Sequence, residues 1–254
     1  GIGLALSLGM AAKGRDVALF ARDATRLLAA RDEILREFPN VRVETYAVDV
    51  ANRAALTDAL DAAITALGVP DRAIASAGIA TPGHFVDQPL SLHDQHMAIN
   101  YTGALNFVHT LAPHIRDAGG GQIGLIASGA AFFGIYGYSA YAPTKFALRG
   151  FAEVLRVELA PLGIGITLLY PPDTDTPQLA AEMRTKPEAT QLVTGGGGLM
   201  SPETVAARMI AGMDRNKFDV TPGLQMWALN RLTSLIAPLL RWWQAGIIRK
   251  VGDK

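Results

Sequence analysis

The chain has 254 residues, half of them apolar, and 23 basic and 23 acidic side chains give it a formal net charge of zero. With no net charge to attract a polyanion, we expect no nucleic-acid partner. The absence of cysteine excludes a disulfide framework, a thiolate nucleophile and a cysteine-ligated metal site. The five histidines lack a metal-protease pattern, so we predict no metal and expect surface or capping roles for them.

Apolar runs and helical periodicity alternate along the whole chain. Alternation of this kind predicts a parallel, doubly wound α/β sheet with right-handed crossovers. The length fits a single domain, residues 1–254, with a large core. Strands are predicted at residues 17–21, 41–48, 73–76, 123–127 and 165–170, and helices at 2–13, 24–38, 52–67, 92–118, 139–159 and from 202 onward.

Gly1, Ile2 and Gly3 open the first helix, and no strand-like run precedes them. Glycines at a helix start let a diphosphate approach the backbone amides, where the helix dipole favours negative charge. We therefore predict that these residues bind the phosphates of a dinucleotide. A simple tight turn is the alternative interpretation.

Residues after the next three predicted strands suit the remaining parts of a dinucleotide. Arg22 follows the strand at 17–21, where an arginine accommodates a 2′-phosphate and an acid binds a 2′-hydroxyl. Arg22 therefore favours NADPH, whereas the neighbouring Asp23 either binds the hydroxyl or caps the next helix. Two further cofactor contacts are predicted, the first with helix capping as its alternative: Asp49-Val50 and Ser76-Ala77-Gly78.

Tyr141 and Lys145 are four residues apart, so on a helix they lie one turn apart on the same face. An ammonium beside a phenol favours the phenolate and lowers its pKa, which suits a general acid and base. Ser128 follows the strand at 123–127, at the sheet edge where open α/β proteins bind ligands. These three residues, meeting at one carbonyl, predict an enzyme; a solvated pair is the alternative. Asn100, within a predicted helix, is either exposed or holds a water in a proton relay.

The strand at 165–170 runs into the sequence PPDTDTP, and a long segment ending in glycines then leads to the helix start at Ser201. A long irregular segment beside a ligand edge is typical of a mobile cover. We predict that residues 173–200 form a substrate lid. Three residues at its start are predicted to contact the cofactor: Pro171, Thr174 and Thr176.

In this order, the motifs resemble the short-chain dehydrogenase/reductase family over nearly the whole chain. The residues that carry the resemblance are Gly1-Ile2-Gly3, Arg22, Asp49, Ser76-Ala77-Gly78, Asn100, Ser128, Tyr141 and Lys145. It implies a Rossmann-type sheet flanked by helices and an NADP-dependent oxidoreductase. The serine would hold the substrate carbonyl and the tyrosine transfer the proton, while the lysine would bind the nicotinamide ribose and the asparagine support a water relay. The chain departs from the family at Ser76, where asparagine is usual, and at Pro172, where glycine is usual.

One subgroup of that family, which reduces the long-chain sphingoid ketone 3-ketodihydrosphingosine with NADPH, is particularly similar. The shared sequences are PPDTDTP at 171–177, RTKP at 184–187 and YAPTKFALRG at 141–150. Two alternatives remain open, because a scaffold does not fix a substrate. One is a 3-oxoacyl or other lipid-type carbonyl reductase; the other is a non-catalytic NADP-binding scaffold or sensor, which the four catalytic side chains disfavour.

The family's nucleotide motif, Thr-Gly-x-x-x-Gly-x-Gly, aligns its second and third glycines with Gly1 and Gly3. The resemblance therefore implies that the first strand, which is central in the sheet, is absent from this sequence. Without it, hydrogen-bonding groups on both sides would stay unpaired. We expect the 254 residues to be a fragment with reduced stability.

The segment 224–251 holds all three tryptophans among leucines and isoleucines, with four basic residues and no acid. This composition suits a membrane interface, and Pro238 argues against a straight spanning helix. We predict peripheral membrane contact; the alternatives are that the segment covers the substrate cleft or a partner in a homo-oligomer. The expected location is the cytoplasm, on the cytosolic face of a membrane where the segment binds lipid.

Overall fold

The computed structural model describes residues 1–252, in which six parallel strands alternate with helices. The strands are β1 Val17–Ala21, β2 Val43–Ala47, β3 Arg72–Ala75, β4 Gly121–Ile126, β5 Ile164–Leu169 and β6 Asp219–Val220. The helices are α1 Ile2–Ala11, α2 Ala24–Glu37, α3 Arg53–Leu67, α4 Leu90–Met97, α5 Gly103–Asp117, α6 Ala142–Leu159, α7 Pro177–Glu182, α8 Glu188–Thr194, α9 Pro202–Asp214 and α10 Leu224–Val251. The predicted doubly wound α/β architecture is confirmed.

The sheet is interrupted between β1 and β3. β1 pairs with β2 alone, and β3 begins a separate run in the order β3-β4-β5-β6. A cavity of about 1000 Å³ lies between the two facing edges and is lined by every residue of β1 and β3.

Helices cover both faces of the sheet, so the central strands are buried on each side. On one face, α3, α5, α6 and α10 pack against β4 and β5; on the other, α1, α2 and α9 pack against β1, β2 and the ends of β4 and β5. Gly124 in β4 permits the close approach of α9, because a Cβ there would lie 2.4 Å from the Cε atom of Met209. Strands buried on both faces explain the continuous apolar runs in the sequence.

Side-chain caps fix the starts of four helices. Asp23, Asn52, Thr176 and Ser201 each accept a hydrogen bond from a backbone N–H three residues later, at the starts of α2, α3, α7 and α9. α1 differs, because its N-cap is Gly1 and no side chain caps it. Its first backbone amides therefore remain available to a ligand.

The structure differs from the sequence-based prediction in three places. The helix predicted at 92–118 is two helices, α4 and α5, joined by a π-turn at Ala98–Thr102. The segment predicted to be irregular contains α7 and α8, and β6 was not predicted. β6 is only two residues long, which is too short for its apolar pattern to be recognised in a sequence.

His96 is buried, so the surface or capping role expected for it is wrong. Its Nε2 accepts a hydrogen bond from the backbone N–H of Thr81 at 3.0 Å, and its Nδ1 lies 2.8 Å from the carbonyl oxygen of Leu92. An acceptor at Nε2 and a donor at Nδ1 define a neutral imidazole. Burial lowers the pKa of His96 and so favours the same form.

Candidate active site

Ser128, Tyr141 and Lys145 meet beyond the carboxyl end of β4. Ser128 lies two residues after the strand, and Tyr141 is the N-cap residue of α6, which places Lys145 in its first turn. The Ser128 hydroxyl lies near enough to the Tyr141 phenol to lower its pKa, and the Lys145 Nζ lies 5.5 Å from the centre of the tyrosine ring. All three line one cavity of about 320 Å³. The structure therefore brings together the side chains predicted to meet at a carbonyl.

The expected lowering of the Tyr141 pKa by Lys145 is wrong for the protein's own side chains. Burial and the carboxylate of Glu182 raise the pKa of Tyr141, and the Ser128 hydroxyl acts in the opposite direction. Burial also lowers the pKa of Lys145 to about 8. The lysine Nζ donates a 2.9 Å hydrogen bond to the carbonyl oxygen of Ile126. An enclosed site disfavours the charged form of both groups.

Asn100 lies in the π-turn between α4 and α5 and is buried. Its amide nitrogen donates to the carbonyl oxygen of Ile79 at 2.9 Å and to the hydroxyl of Thr144 at 3.0 Å, and its oxygen accepts from the Ile79 N–H at 2.8 Å. Both amide hydrogens are therefore occupied by protein atoms. Asn100 ties the chain after β3 to the start of α6, while its predicted water relay stays a prediction.

The glycines at the cavity wall leave room for a flat, charged ligand. A Cβ on Gly3 would lie 3.2 Å from the Ser76 hydroxyl oxygen, and one on Gly78 would lie 3.7 Å from the Lys145 Nζ. The uncapped amides of α1 open beside them. These features fit the diphosphate and nicotinamide portions of a dinucleotide. Lining residues among those predicted for the cofactor are Gly1, Ile2, Gly3, Ser76, Gly78, Pro171, Thr174 and Thr176.

Arg22 and Asp23, both predicted near the cofactor ribose, have different environments. Arg22 is exposed and lines the larger cavity. Asp23 accepts from the Arg26 N–H at 3.1 Å and forms an ion pair with the Arg26 side chain, so it is the helix cap that the sequence left as an alternative. The arginine is therefore the side chain available for a 2′-phosphate.

The predicted cofactor contact Asp49-Val50 also lines the larger cavity, together with Ala77. The Asp49 carboxylate accepts from the Ala51 N–H at 3.0 Å, while the cap of α3 is Asn52. Asp49 therefore closes a turn and is not the helix cap. The two cavities share Gly1, Gly3, Ser76 and Gly78, so one groove runs from Arg22 to Tyr141.

The family assignment agrees with this geometry. The short chain dehydrogenase family model matches residues 1–187. The chain belongs to this family. A groove along the carboxyl edge of a parallel sheet, with tyrosine and lysine one helical turn apart at its end, is the arrangement that the family resemblance implied.

Named relatives and a solved structure support the assignment to the short chain dehydrogenases. The 3-ketodihydrosphingosine reductase of Bos taurus is 32% identical over 242 residues, which are 94% of this chain and 73% of that protein. The Dictyostelium discoideum protein of the same name is 34% identical over 216 residues, 79% of this chain and 65% of that protein. A short-chain dehydrogenase from Sphingobium yanoikuyae in complex with NADPH has a TM-score of 0.79 at 26% identity, over 95% of this chain and 91% of that one.

A buried polar cluster beside the tyrosine was missed by sequence reasoning. Tyr138 donates a 2.8 Å hydrogen bond to a carboxylate oxygen of Glu182, and Gln178 donates to the other oxygen at 3.0 Å. Lys186, whose side chain is buried, lies 3.7 Å from the Asp173 carboxylate. The available signal was the polar character of 173–187 next to the sheet edge. Its helical spacing, which places Gln178 and Glu182 on one face, was obscured by the short length of α7.

α10 closes the cavity with its inner face. Met226 and Leu229 are buried there and line the cavity, and the Gln244 side chain accepts from the Tyr136 N–H at 3.0 Å and donates to the Gly134 carbonyl at 3.2 Å. The alternative that this segment covers the cleft therefore holds for its inner face. Within residues 1–252, no helix is long and apolar enough to cross a membrane.

Proposed function

We propose that this chain reduces the ketone of 3-ketodihydrosphingosine to an alcohol with NADPH. The observation that carries the proposal is the meeting of Ser128, Tyr141 and Lys145 at a cavity closed by apolar residues of α8 and α10. Relatives at 32% and 34% identity bear the name of that reductase, and a structural neighbour at 26% identity holds NADPH. Arg22, exposed at the other end of the groove, supports NADPH as the cofactor.

Ser128 and Tyr141 act on the substrate oxygen in this proposal. The Ser128 hydroxyl donates to the ketone oxygen and holds the carbonyl against the tyrosine. NADPH, when bound, supplies the hydride to the carbonyl carbon. Tyr141 then gives its phenolic proton to the developing alkoxide, so that the product leaves as an alcohol. The raised pKa of Tyr141 keeps this proton on the phenol until the alkoxide forms.

Lys145 positions the cofactor and balances charge. Its Nζ faces Gly78 and the Ile126 carbonyl, where a ribose hydroxyl could replace one of its contacts. The ammonium stabilises the phenolate that remains on Tyr141 after proton transfer. Because the pKa of Lys145 is about 8, the ammonium predominates at neutral pH.

The cavity suits a substrate with a polar head and a long apolar tail. Its polar wall is formed by Ser128, Tyr141 and Glu182, and its apolar wall includes Phe133, Ile135, Leu179, Val193, Met226 and Leu229. A volume of about 320 Å³ holds the head and the first part of an alkyl chain. We infer that residues 173–200, through α7 and α8, form the lid over this substrate.

The test is NADPH oxidation with 3-ketodihydrosphingosine and with a short 3-oxoacyl thioester, using the longest natural form of the protein. We expect turnover with the sphingoid ketone and at least tenfold lower kcat/KM with the thioester. Preference for the thioester would favour the alternative lipid-type carbonyl reductase. NADPH binding without oxidation by either ketone would favour a non-catalytic scaffold and contradict the proposal.

We further propose that the outer face of α10 binds an anionic membrane surface from the cytoplasmic side. Large apolar residues recur there every three or four positions, and Leu235 and Trp242 are 75% and 72% exposed. The exposed charges of the helix are all basic, which complements anionic lipid. The sphingoid substrate resides in lipid, so an enzyme at the interface need not draw its alkyl chain through water, at about 0.8 kcal/mol per CH₂.

Vesicle flotation tests the membrane proposal. The unmodified protein should float with phosphatidylserine-containing vesicles, and changing Leu239 and Trp242 to serine should abolish flotation. A matched control changes two equally exposed apolar residues outside α10, Leu90 and Val157, and should float normally. Equal flotation of both variants would contradict the proposal. A shift from dimer to monomer in the α10 variant, without loss of flotation, would identify the face as a subunit interface instead.

A further inference from the structure

Glu182 is a buried carboxylate on the wall of the substrate cavity. It lies at the last position of α7 and is 7% exposed. Its two oxygens accept hydrogen bonds from the Tyr138 hydroxyl and the Gln178 amide. Both donors are neutral, and the carboxylate therefore has hydrogen-bond partners without a counter-charge.

The nearby cation is engaged by a different acid. Lys186 forms an ion pair with Asp173 at 3.7 Å, and its Nζ lies 5.6 Å from the centre of the Tyr138 ring. Among the described residues, Glu182 has no ion pair with lysine, arginine or histidine. Lys186 and Lys145 both act on Glu182 electrostatically, but neither forms an ion pair with it, so its carboxylate has no cation in direct contact. A buried charge of this kind is unfavourable unless a cation joins it.

The carboxylate is close to the reacting groups. The Tyr138 ring, whose hydroxyl donates to Glu182, packs against the Tyr141 ring with the two ring centres 5.3 Å apart. Glu182 also raises the pKa of both Tyr141 and Lys145, which places it within electrostatic reach of each. Burial raises the pKa of Glu182 itself, and a bound cation would restore its charge.

We infer that Glu182 binds an ammonium group on the carbon next to the substrate ketone and thereby selects amino ketones. The inference rests on the proposed function, because the ketone must be held by Ser128 and Tyr141 for its neighbour to reach Glu182. An ammonium donates to a carboxylate and supplies the directly bonded cation that Glu182 lacks. A 3-oxoacyl chain has no such group and would leave Glu182 without an ion-pair partner. The sphingoid ketone carries its amine on this carbon.

The test compares two long-chain ketones that differ only in the amine: 3-ketodihydrosphingosine and 1-hydroxyoctadecan-3-one. Changing Glu182 to glutamine should lower kcat/KM for the amino ketone by about 10- to 100-fold, as expected for loss of a charge-assisted hydrogen bond. The value for the desamino ketone should change by less than about twofold. Glu182→Asp, which retains the charge, should recover part of the loss.

Two controls separate ligand binding from a structural role. Glu153 is an exposed carboxylate paired with Arg149, and its change to glutamine should affect neither ketone. Tyr138→Phe removes a hydrogen bond to Glu182 but not its charge, so preference for the amino ketone should persist. Equal losses for both ketones in Glu182→Gln would overturn the inference, as would an unchanged kcat/KM for the amino ketone.

A binding measurement distinguishes failure of the inference from failure of the proposed function. Dihydrosphingosine and octadecane-1,3-diol differ in the same amine and can be titrated into the protein with NADP⁺ in a calorimeter. At least tenfold weaker binding of dihydrosphingosine, but not of the diol, to the Glu182→Gln variant supports the amine site even if neither ketone is reduced. Equal binding of dihydrosphingosine to both proteins overturns it, whatever the outcome of the assays.

Discussion

Replacing Lys145 with methionine should inactivate the protein and also stabilise it against unfolding in the absence of cofactor. The lysine side chain is buried, with 5% of the residue exposed. Burial lowers its pKa to about 8, and the carboxylate of Glu182 acts in the opposite direction. The ammonium is therefore retained at a position where the folded protein disfavours its charge. Methionine fills a similar volume without that charge.

The expected gain follows from the change in pKa. A fall from 10.5 to about 8 corresponds to about 3 kcal/mol of lost stability at pH 7. Methionine removes this penalty together with the hydrogen bond to the Ile126 carbonyl, whose loss costs about 1 kcal/mol. The net gain is about 2 kcal/mol, or roughly 4 to 8 °C in Tm for a chain of this size.

The stability gained from methionine should depend on pH, and the lowered pKa of Lys145 determines in which direction. Because the pKa of Lys145 is lower in the folded protein than in the unfolded chain, the folded protein binds fewer protons between about pH 8 and pH 10.5. The penalty is complete below this window and disappears as the pH rises through it. The advantage of methionine should therefore shrink between pH 7 and pH 10.

Guanidinium unfolding of both proteins at pH 7 and pH 10 measures the effect. Lys217, which is exposed, provides a matched control, and its change to methionine should alter stability by less than about 0.5 kcal/mol. A Lys145→Met protein that is less stable than the unmodified protein at pH 7 would refute this prediction. It is also refuted if the difference in stability stays constant with pH.

Other substitutions test the remaining groups of the site. Tyr141→Phe should lower kcat by about 10²- to 10⁴-fold with NADPH binding retained, and Ser128→Ala should be less severe; a Tyr141→Phe rate above about a tenth of the original would contradict the acid role. Arg22→Ala should raise the Kd of NADPH at least tenfold more than that of NADH, as measured by nicotinamide fluorescence, whereas equal changes would make the arginine structural. Since burial raises the pKa of Glu182, Glu182→Gln should increase Tm at pH 7 but not below about pH 4, and a lower Tm at pH 7 would contradict this.

The fold could be predicted largely because its central strands are buried on both faces. β4 and β5 are continuous apolar runs between recognisable turns, and helix caps such as Asp23 and Asn52 mark the neighbouring helix starts. The π-turn at Ala98–Thr102 could not be predicted, since it interrupts no periodicity on the scale of a helix. The interruption between β1 and β3, with its large cavity, is marked by no local pattern in either strand.

Site residues could be predicted where they are close together in the sequence. The prediction failed for residues that only the tertiary fold brings to the site. Tyr141 and Lys145 share one helical turn, and Ser128 follows a strand end, so each position was visible in the sequence. Glu182 reaches the cavity through the tertiary placement of α7, which no local pattern specifies. The same long-range effect explains the error in the Tyr141 pKa, because burial and Glu182 together outweigh any effect of Lys145.

Burial makes charge unfavourable on the side chains of this site, although the Lys145 ammonium still predominates at neutral pH. It raises the pKa of Tyr141 and of Glu182 and lowers that of Lys145, so each group resists ionisation. A protonated tyrosine is the form required to give a proton to the ketone oxygen. An oxidised nicotinamide held here would add positive charge to that of Lys145 beside the phenolate. An ammonium on the substrate would act in the same way on Glu182. The enclosed site thus couples substrate charge to selectivity, at the expense of stability in the empty protein.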